Sequence, residues 1–365
     1  GFFRYCVDNE WNIPHFEKML YDQAMLLWVY SLASKLLKKK EYEFVVQRLI
    51  SCLESCFEDD GVFYSAIDAD TDGKEGETYL WDETELKKRL GNDFAKLKEM
   101  YDLTNTFEGK IHLVKKKFCF DDIENKLLVI RKNRKQPITD KKIITSWNCL
   151  LGIGFVHAYR CLDEKEYLDK ASRIADWIFK DHFVNGKLVH SSINGEQQKE
   201  CFLEDYSSFL LLLTYLYEEG LDYNDKLKLF RSEINKFKID NVWYENVDTD
   251  FKKVKSGYFD HPIPSSVSMS EMALLRSKIL LGEDYEVIDY IEPLNFDFYN
   301  LTALISQGEV HVVTSDSKID WSKLPINVIQ VRGTGVSDCF NKKCVMFRNT
   351  DELIKSLSHL IFEPL

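Results

Sequence analysis

Four groups of polar residues stand at the start of stretches that are otherwise apolar. They are His15, Lys18 and Asp22; Thr145, Ser146 and Asn148; Glu204 and Asp205; and Ser265 and Ser266. Their types suit proton transfer. A histidine beside a carboxylate titrates near neutrality, because the negative charge favours the imidazolium, and such a pair supplies both a base and an acid. His15, Lys18 and Asp22 follow i, i+3, i+7 spacing, which places them on one face if the segment is helical, with Asp22 as the partner of His15. Two carboxylates, one protonated and one ionised, would instead serve glycoside hydrolysis, and Asp205 with Asp68 or Asp70 is the pair on offer. Trp147 beside Asn148 suits a sugar, with an aromatic face to stack on and an amide to read hydroxyls. Capping competes with these readings, since Ser146, Ser265 and Asp205 stand where a side-chain oxygen closes a helix N-terminus. Glu204 and Asp205 followed by Tyr206 exceed what a cap needs. Asp68-x-Asp70-x-Asp72-Gly73 copies the front of a calcium loop, but Tyr79 replaces the bidentate glutamate and strands flank it. A solvated turn or pocket rim is expected there, and no metal.

Residues so far apart need a scaffold that gathers them. Two kinds of helix alternate along the chain. Ala24–Ser34, Ile143–Tyr159 and Tyr206–Tyr217 are almost uncharged, as helices enclosed by protein are. Glu41–Cys56, Glu164–His182 and Asn224–Lys238 follow them and are amphipathic. A fourth pair is predicted at Ser265–Leu281 and Asp284–Leu304. Buried helix, short turn and solvent-facing helix, repeated, describe two concentric layers: a mainly α, (α/α)6-type toroid of helical hairpins. No fixed-period repeat supports an open solenoid. Parallel inner helices would collect their polar starts at one mouth over an apolar floor, the usual form of a ligand site. Between the first two pairs, Gly61–Ile67 and Glu77–Trp81 read as strands, and Asp82–Leu90, Asp93–Tyr101 and Asp121–Arg134 as short helices. Strands at Val310–Thr314 and Asn327–Val331 and a helix at Asp351–Leu360 make a small α/β appendage. The predicted domains are therefore a toroid over 1–307, with an insertion at about 61–135, and an appendage over 308–365.

Composition excludes several partners. The 365 residues carry a net charge of −12, which disfavours a nucleic-acid backbone. No apolar run is long enough to span a bilayer and no secretory signal opens the chain, so no membrane is expected and a cytoplasmic location is. Nine cysteines, an odd number, fit mostly free thiols in a reducing compartment. Cys339 and Cys344 form one close pair, readable as incidental, redox-active or half of a metal site.

The segments GFFRYCVD (1–8), PHFEKMLYDQA (14–24), FYSAIDADTDGKEG (63–76), DKKIITSWNCL (140–150), LEDY (203–206) and PSSV (264–267) run in one colinear order. Together they resemble the thioredoxin-domain-containing, spermatogenesis-associated protein family. That resemblance implies an N-terminal thioredoxin-like domain, absent from this chain, followed by a six-hairpin toroid similar to N-acylglucosamine 2-epimerases and several glycosidases. By motif it implies pocket residues His15, Glu17, Asp22, Asp68, Asp70, Trp147, Asn148, Glu204, Asp205 and Tyr206, and it matches Cys339 and Cys344 to a cysteine pair. Two steps depart from the family pattern: Ser266-Val267 replaces Gly-Asn, and Cys149 follows Trp147-Asn148 where glycine is usual. Taken together, His15, Asp22, Asp68, Asp70, Glu204 and Asp205 are the expected catalytic groups. Glu17, Lys18, Trp147, Asn148, Tyr206, Ser265 and Ser266 are the expected substrate contacts. The expected function is a carbohydrate-active or carbohydrate-binding toroid of 2-epimerase type that uses no cofactor. Glycoside hydrolysis and a client-binding scaffold are the alternatives. A small sugar or glycan and a thioredoxin-like domain, or a missing N-terminal half, are the expected partners. The count of four inner–outer pairs, against six in a closed ring, also predicts a fragment with one side open.

Overall fold

The computed structural model describes residues 1–116, 122–198, 200–247, 252–291 and 296–362. Helices α1 (Leu20–Leu37) and α2 (Lys40–Cys56) form the first hairpin. Lys38, in the left-handed conformation, ends α1 and returns its N–H to the Ser34 carbonyl. Only one stripe of α2, Val46, Leu49, Ile50 and Leu53, is buried, as the i, i+3, i+4, i+7 spacing dictates. Then come three short helices, α3 (Glu83–Leu90), α4 (Asp93–Met100) and α5 (Asp122–Lys132). They enclose a small core of their own around Trp81, Leu86, Leu97, Ile111, Ile123 and Leu127.

Helix α6 (Thr145–Leu162) is buried along nearly its whole length, and α7 (Lys165–Trp177) covers it with Leu168, Ala171, Ile174 and Ala175. The pattern repeats with α8 (Leu203–Glu218) and α9 (Asn224–Ile234), then with α10 (Ser266–Leu281) and α11 (Asp297–Gln307). The buried helices pack side by side in the order α1, α6, α8, α10. Glycine permits the closest approaches. A Cβ on Gly154 would stand 3.0 Å from the Ala24 carbonyl oxygen of α1, and one on Gly152 would stand 2.9 Å from Leu212 of α8.

The inner helices run parallel. Tyr21 and Trp147, near the N-termini of α1 and α6, meet edge to face at 4.9 Å. At the opposite ends, the Arg160 guanidinium of α6 binds Glu218 at 2.8 Å and Glu219 at 2.6 Å after α8, and Arg276 of α10 also binds Glu218. Between the two ends, Trp28 of α1 stacks on His157 of α6 at 4.8 Å and meets Tyr215 of α8 and Phe298 of α11, forming an aromatic floor.

A four-stranded sheet follows, ordered Val328–Arg332, His311–Ser315, Val336–Phe340, Lys343–Phe347, with the first pair parallel and the others antiparallel. Asn341 and Lys342, both at positive φ, make the tight turn of the last hairpin. A disulfide joins Cys339 to Cys344 across that hairpin. Helix α12 (Thr350–Phe362) packs on the sheet through Leu353 and Leu357. Among the described residues no helix is long and apolar enough to cross a membrane.

Three expectations need correction. His15 and Lys18 are not helical: Pro14–His15 and Lys18–Met19 are short strands paired with Tyr5–Cys6 and Ala66–Ile67, so the shared helix face with Asp22 does not exist. Glu77–Leu80 is a turn rather than a strand, because the N–H groups of Tyr79 and Leu80 both bond the Gly76 carbonyl, with Gly76 at φ 71°. Helix α11 starts at Asp297 instead of Asp284. Ahead of it, the N–H groups of Ile288 and Ile291 bond the side chains of Ser306 and Asn300, not carbonyls of a helical turn.

Candidate functional site

A hairpin between α7 and α8 brings a histidine to the mouth. Ser191–Ile193 pairs with Ile143–Ile144, the strand that leads into α6, and the Thr145 N–H bonds the His190 carbonyl at 2.9 Å. Beneath it, Thr145 Oγ1 lies 2.7 Å from His182 Nδ1, and His182 Nε2 lies 2.8 Å from Ser192 Oγ. Burial, with the charge of His190, holds His182 down to about 4, so it is a neutral strut.

Asp205, in the first turn of α8, is fully buried. Its oxygens accept from His190 Nδ1 at 3.1 and 3.2 Å and from the Phe202 N–H at 3.1 Å, and the Ser146 N–H also donates to it. Burial raises its pKa against the pull of those donors. For His190, burial acts downward, but the hydrogen bond and charge of Asp205, with Glu204 and Glu200, raise the imidazole above its ordinary value. Glu204 lies with Oε1 3.4 Å from His190 Nδ1. Burial, then the charges of Asp205 and Glu245, push it up to about 7. Two adjacent groups are therefore both held above their ordinary values, Glu204 at about 7. His190 Nε2 has no hydrogen-bond partner among the described residues, which leaves that edge for a ligand. The ligand atoms of His190, Glu204 and Asp205 lie within 4.8 Å of one another, close enough to hold a cation, although Asp205 already accepts from three donors.

Glu245 continues the carboxylate cluster toward α10. It accepts from Ser256 Oγ and, at 3.3 Å, from Ser266 Oγ at the start of that helix. Ser265 caps α10 by accepting from the Ser268 N–H at 3.1 Å.

On the other side, Asp22 and Trp147 extend the rim. Asp22 is pushed up to about 6, by burial first and then by Glu17, while Arg4 acts downward. Its Oδ2 is buried without a hydrogen-bond partner among the described residues. Arg4 binds Glu17 at 2.8 Å and the Tyr21 hydroxyl at 3.2 Å. His15 Nδ1 sits 2.7 Å from Glu75, and its Nε2 sits 3.6 Å from Glu17. The partner of His15 is thus a hairpin glutamate and not Asp22.

Other expected residues lie elsewhere. Asn148 is fully buried, its amide bonded to both backbone groups of Phe63 and to the Ile144 carbonyl. The Tyr206 hydroxyl accepts from the Leu188 N–H, inside the core. The Lys18 ammonium sits over the rings of Phe3 and Tyr79, 5.1 and 5.0 Å away. Asp68 and Asp70 are exposed around a hairpin, and Asp72 there pairs with Lys135, so this is a solvated turn. His190 and Glu245 escaped the sequence reading, which searched only the starts of apolar helices. Leu188 through Ile193 (LVHSSI) carries no apolar–polar alternation that would mark a strand beside His190.

No family model matches the chain. It is similar to human spermatogenesis-associated protein 20, 28% identical over 275 residues, or 60% of this chain and 35% of that protein. An uncharacterized Caenorhabditis elegans protein is 30% identical over 270 residues, covering 60% and 37%. The match thus spans little over a third of these relatives' length. The resemblance drawn from the motifs is borne out by these relatives. Among solved structures, a sugar epimerase from a ruminal bacterium superposes with a TM-score of 0.52 at 14% identity, over 84% of this chain and 63% of that one. The architecture is that of the α/α toroids.

Proposed function

We propose that the mouth binds a sugar and moves a proton at the carbon beside its carbonyl, an epimerase- or isomerase-type reaction. The observation that carries this reading is the contact between His190, an imidazole held above its ordinary value, and Glu204, a carboxyl pushed up to about 7, at the gathered N-termini of the inner helices. In an open-chain aldose, the C1 carbonyl acidifies the C2 proton. The Glu204 carboxylate takes that proton, the C–H electrons become the C1–C2 double bond, and the His190 imidazolium protonates the carbonyl oxygen. In reversal, His190 takes back the hydroxyl proton and Glu204 returns its proton to C2, which is inverted when the enediol has first turned its other face to Glu204. Asp205 keeps the imidazolium charged and oriented, as an aspartate does beneath a catalytic histidine. The epimerase named among the structural neighbours supports the sugar as substrate class. Hydrolysis by Asp205 with Asp68 or Asp70 lacks this support, since Asp205 is enclosed and saturated with donors.

The reaction is tested by incubating the chain with aldoses and aldose-ended disaccharides in D2O. NMR should show deuterium entering C2, at a rate at least about 100-fold lower in His190→Asn. Absence of exchange across the panel, or equal exchange in the variant, would refute the proposal.

A further inference from the structure

A cavity of about 290 Å³ opens between α2 and the inserted module, at the small end of the range for ligand sites. Its wall is apolar and aromatic, with Tyr79, Trp81, Leu113 and Leu127 among the lining. Its polar groups are mostly basic, although the chain as a whole carries a net charge of −12. Arg48 and Lys115 share one buried carboxylate, Glu124, at 3.1 and 2.6 Å, and the Tyr101 hydroxyl donates to the same group at 2.5 Å. Arg131 adds a third cation. Its guanidinium lies over the Tyr79 ring at 5.4 Å and has no carboxylate partner among the described residues. The His112 imidazole, made a weaker base by burial, also faces the cavity without a hydrogen-bond partner among those residues.

Two cations held on a buried carboxylate, and a third with no carboxylate partner among the described residues, favour a particular ligand chemistry within walls of aromatic rings. The uncompensated guanidinium selects a carboxylate or phosphate, which it can bind through two parallel N–H groups. The flat walls select an apolar or aromatic body, because a bare inorganic anion would leave them unfilled. A neutral sugar would leave the charge unmatched. We propose that this cavity is a second ligand site, separate from the mouth, for a small organic anion with a flat apolar body. Behind its wall, Phe3 and Tyr79 pack on the fully buried Phe16.

The test uses the full chain and four probes of similar size: benzoate, phenyl phosphate, benzyl alcohol and benzylamine. At low salt, calorimetry or ligand-observed NMR should give saturable binding of at least one anion with a Kd below about 1 mM. The alcohol and amine should bind at least about tenfold more weakly, the size of one lost charge-assisted hydrogen bond. Arg131→Gln should weaken the anion by a similar factor, while Glu204→Gln at the mouth leaves it unchanged. If Arg131→Gln melts early, Arg131→Lys, which keeps the charge but loses the planar fork, should still weaken the anion. Equal binding of anion and alcohol, no saturation by either anion, or unaltered binding in a folded arginine variant would overturn the proposal.

Discussion

Asp205 is the residue on which the chemistry of the mouth turns, because its hydrogen bond and charge lead the influences that keep His190 basic against burial. Asp205→Asn removes the charge but keeps a side-chain oxygen for the Phe202 and Ser146 N–H groups. The expected result is a His190 pKa that falls from above its ordinary value to below it, read from the imidazole proton shift in an NMR pH titration. Glu204 makes a prediction of its own. Its folded pKa, about 7, exceeds the ordinary 4.5, so the folded chain binds the extra proton more tightly than the unfolded chain does. Stability from this group is present below pH 4.5, declines as pH rises, and is lost above about 7. Glu204→Gln should therefore gain on the wild type between pH 4.5 and 7, by on the order of 1–2 kcal/mol in urea unfolding, and hold that gain above. His182 opposes this in both proteins, as its contribution is full above 6.5 and is lost as pH falls toward 4. The comparison at each pH cancels it.

At the scale of elements, alternation of apolar and amphipathic helices was legible because burial on all sides and burial on one stripe leave different composition patterns. What periodicity could not show was the inner strand hairpins of two or three residues each, too short for any alternation to register. His15 and Lys18 were misplaced for that reason, and His190 was missed. Glu204 and Asp205 could be read because paired carboxylates opening an apolar helix exceed what a cap requires. Asn148 could not be separated from them, since its bonds to Phe63 depend on a contact between distant segments. The approach of the inner helices is itself testable. Gly154→Ala places a methyl against a backbone oxygen of α1 that cannot rotate away and should cost about 1–3 kcal/mol in thermal or urea unfolding. Gly152→Ala meets only the mobile end of Leu212 and should cost less.

Over the whole molecule, one buried ionic cluster ties the floor of the toroid to the terminal sheet. Glu218 accepts from Arg160, Arg276 and the Gln330 N–H of the sheet, while Glu219 takes Arg160, Lys318 and the Trp321 indole N–H. Its members come from α6, the end of α8, α10, the segment after strand His311–Ser315 and strand Val328–Arg332, so no single stretch of sequence announces it. Glu218→Gln leaves Arg160 and Arg276 close together without their shared anion, and the expected loss is about 3–5 kcal/mol by chemical unfolding. The sugar panel bears most directly on the account as a whole, with binding to wild type, His190→Asn and Glu204→Gln compared by calorimetry near pH 7. The account predicts saturable binding of at least one neutral mono- or disaccharide, weakened at least about tenfold in His190→Asn, the scale of one lost hydrogen bond to a charged group. A sugar that binds the His190→Asn chain as tightly as the wild type, or a panel in which nothing binds, would contradict it.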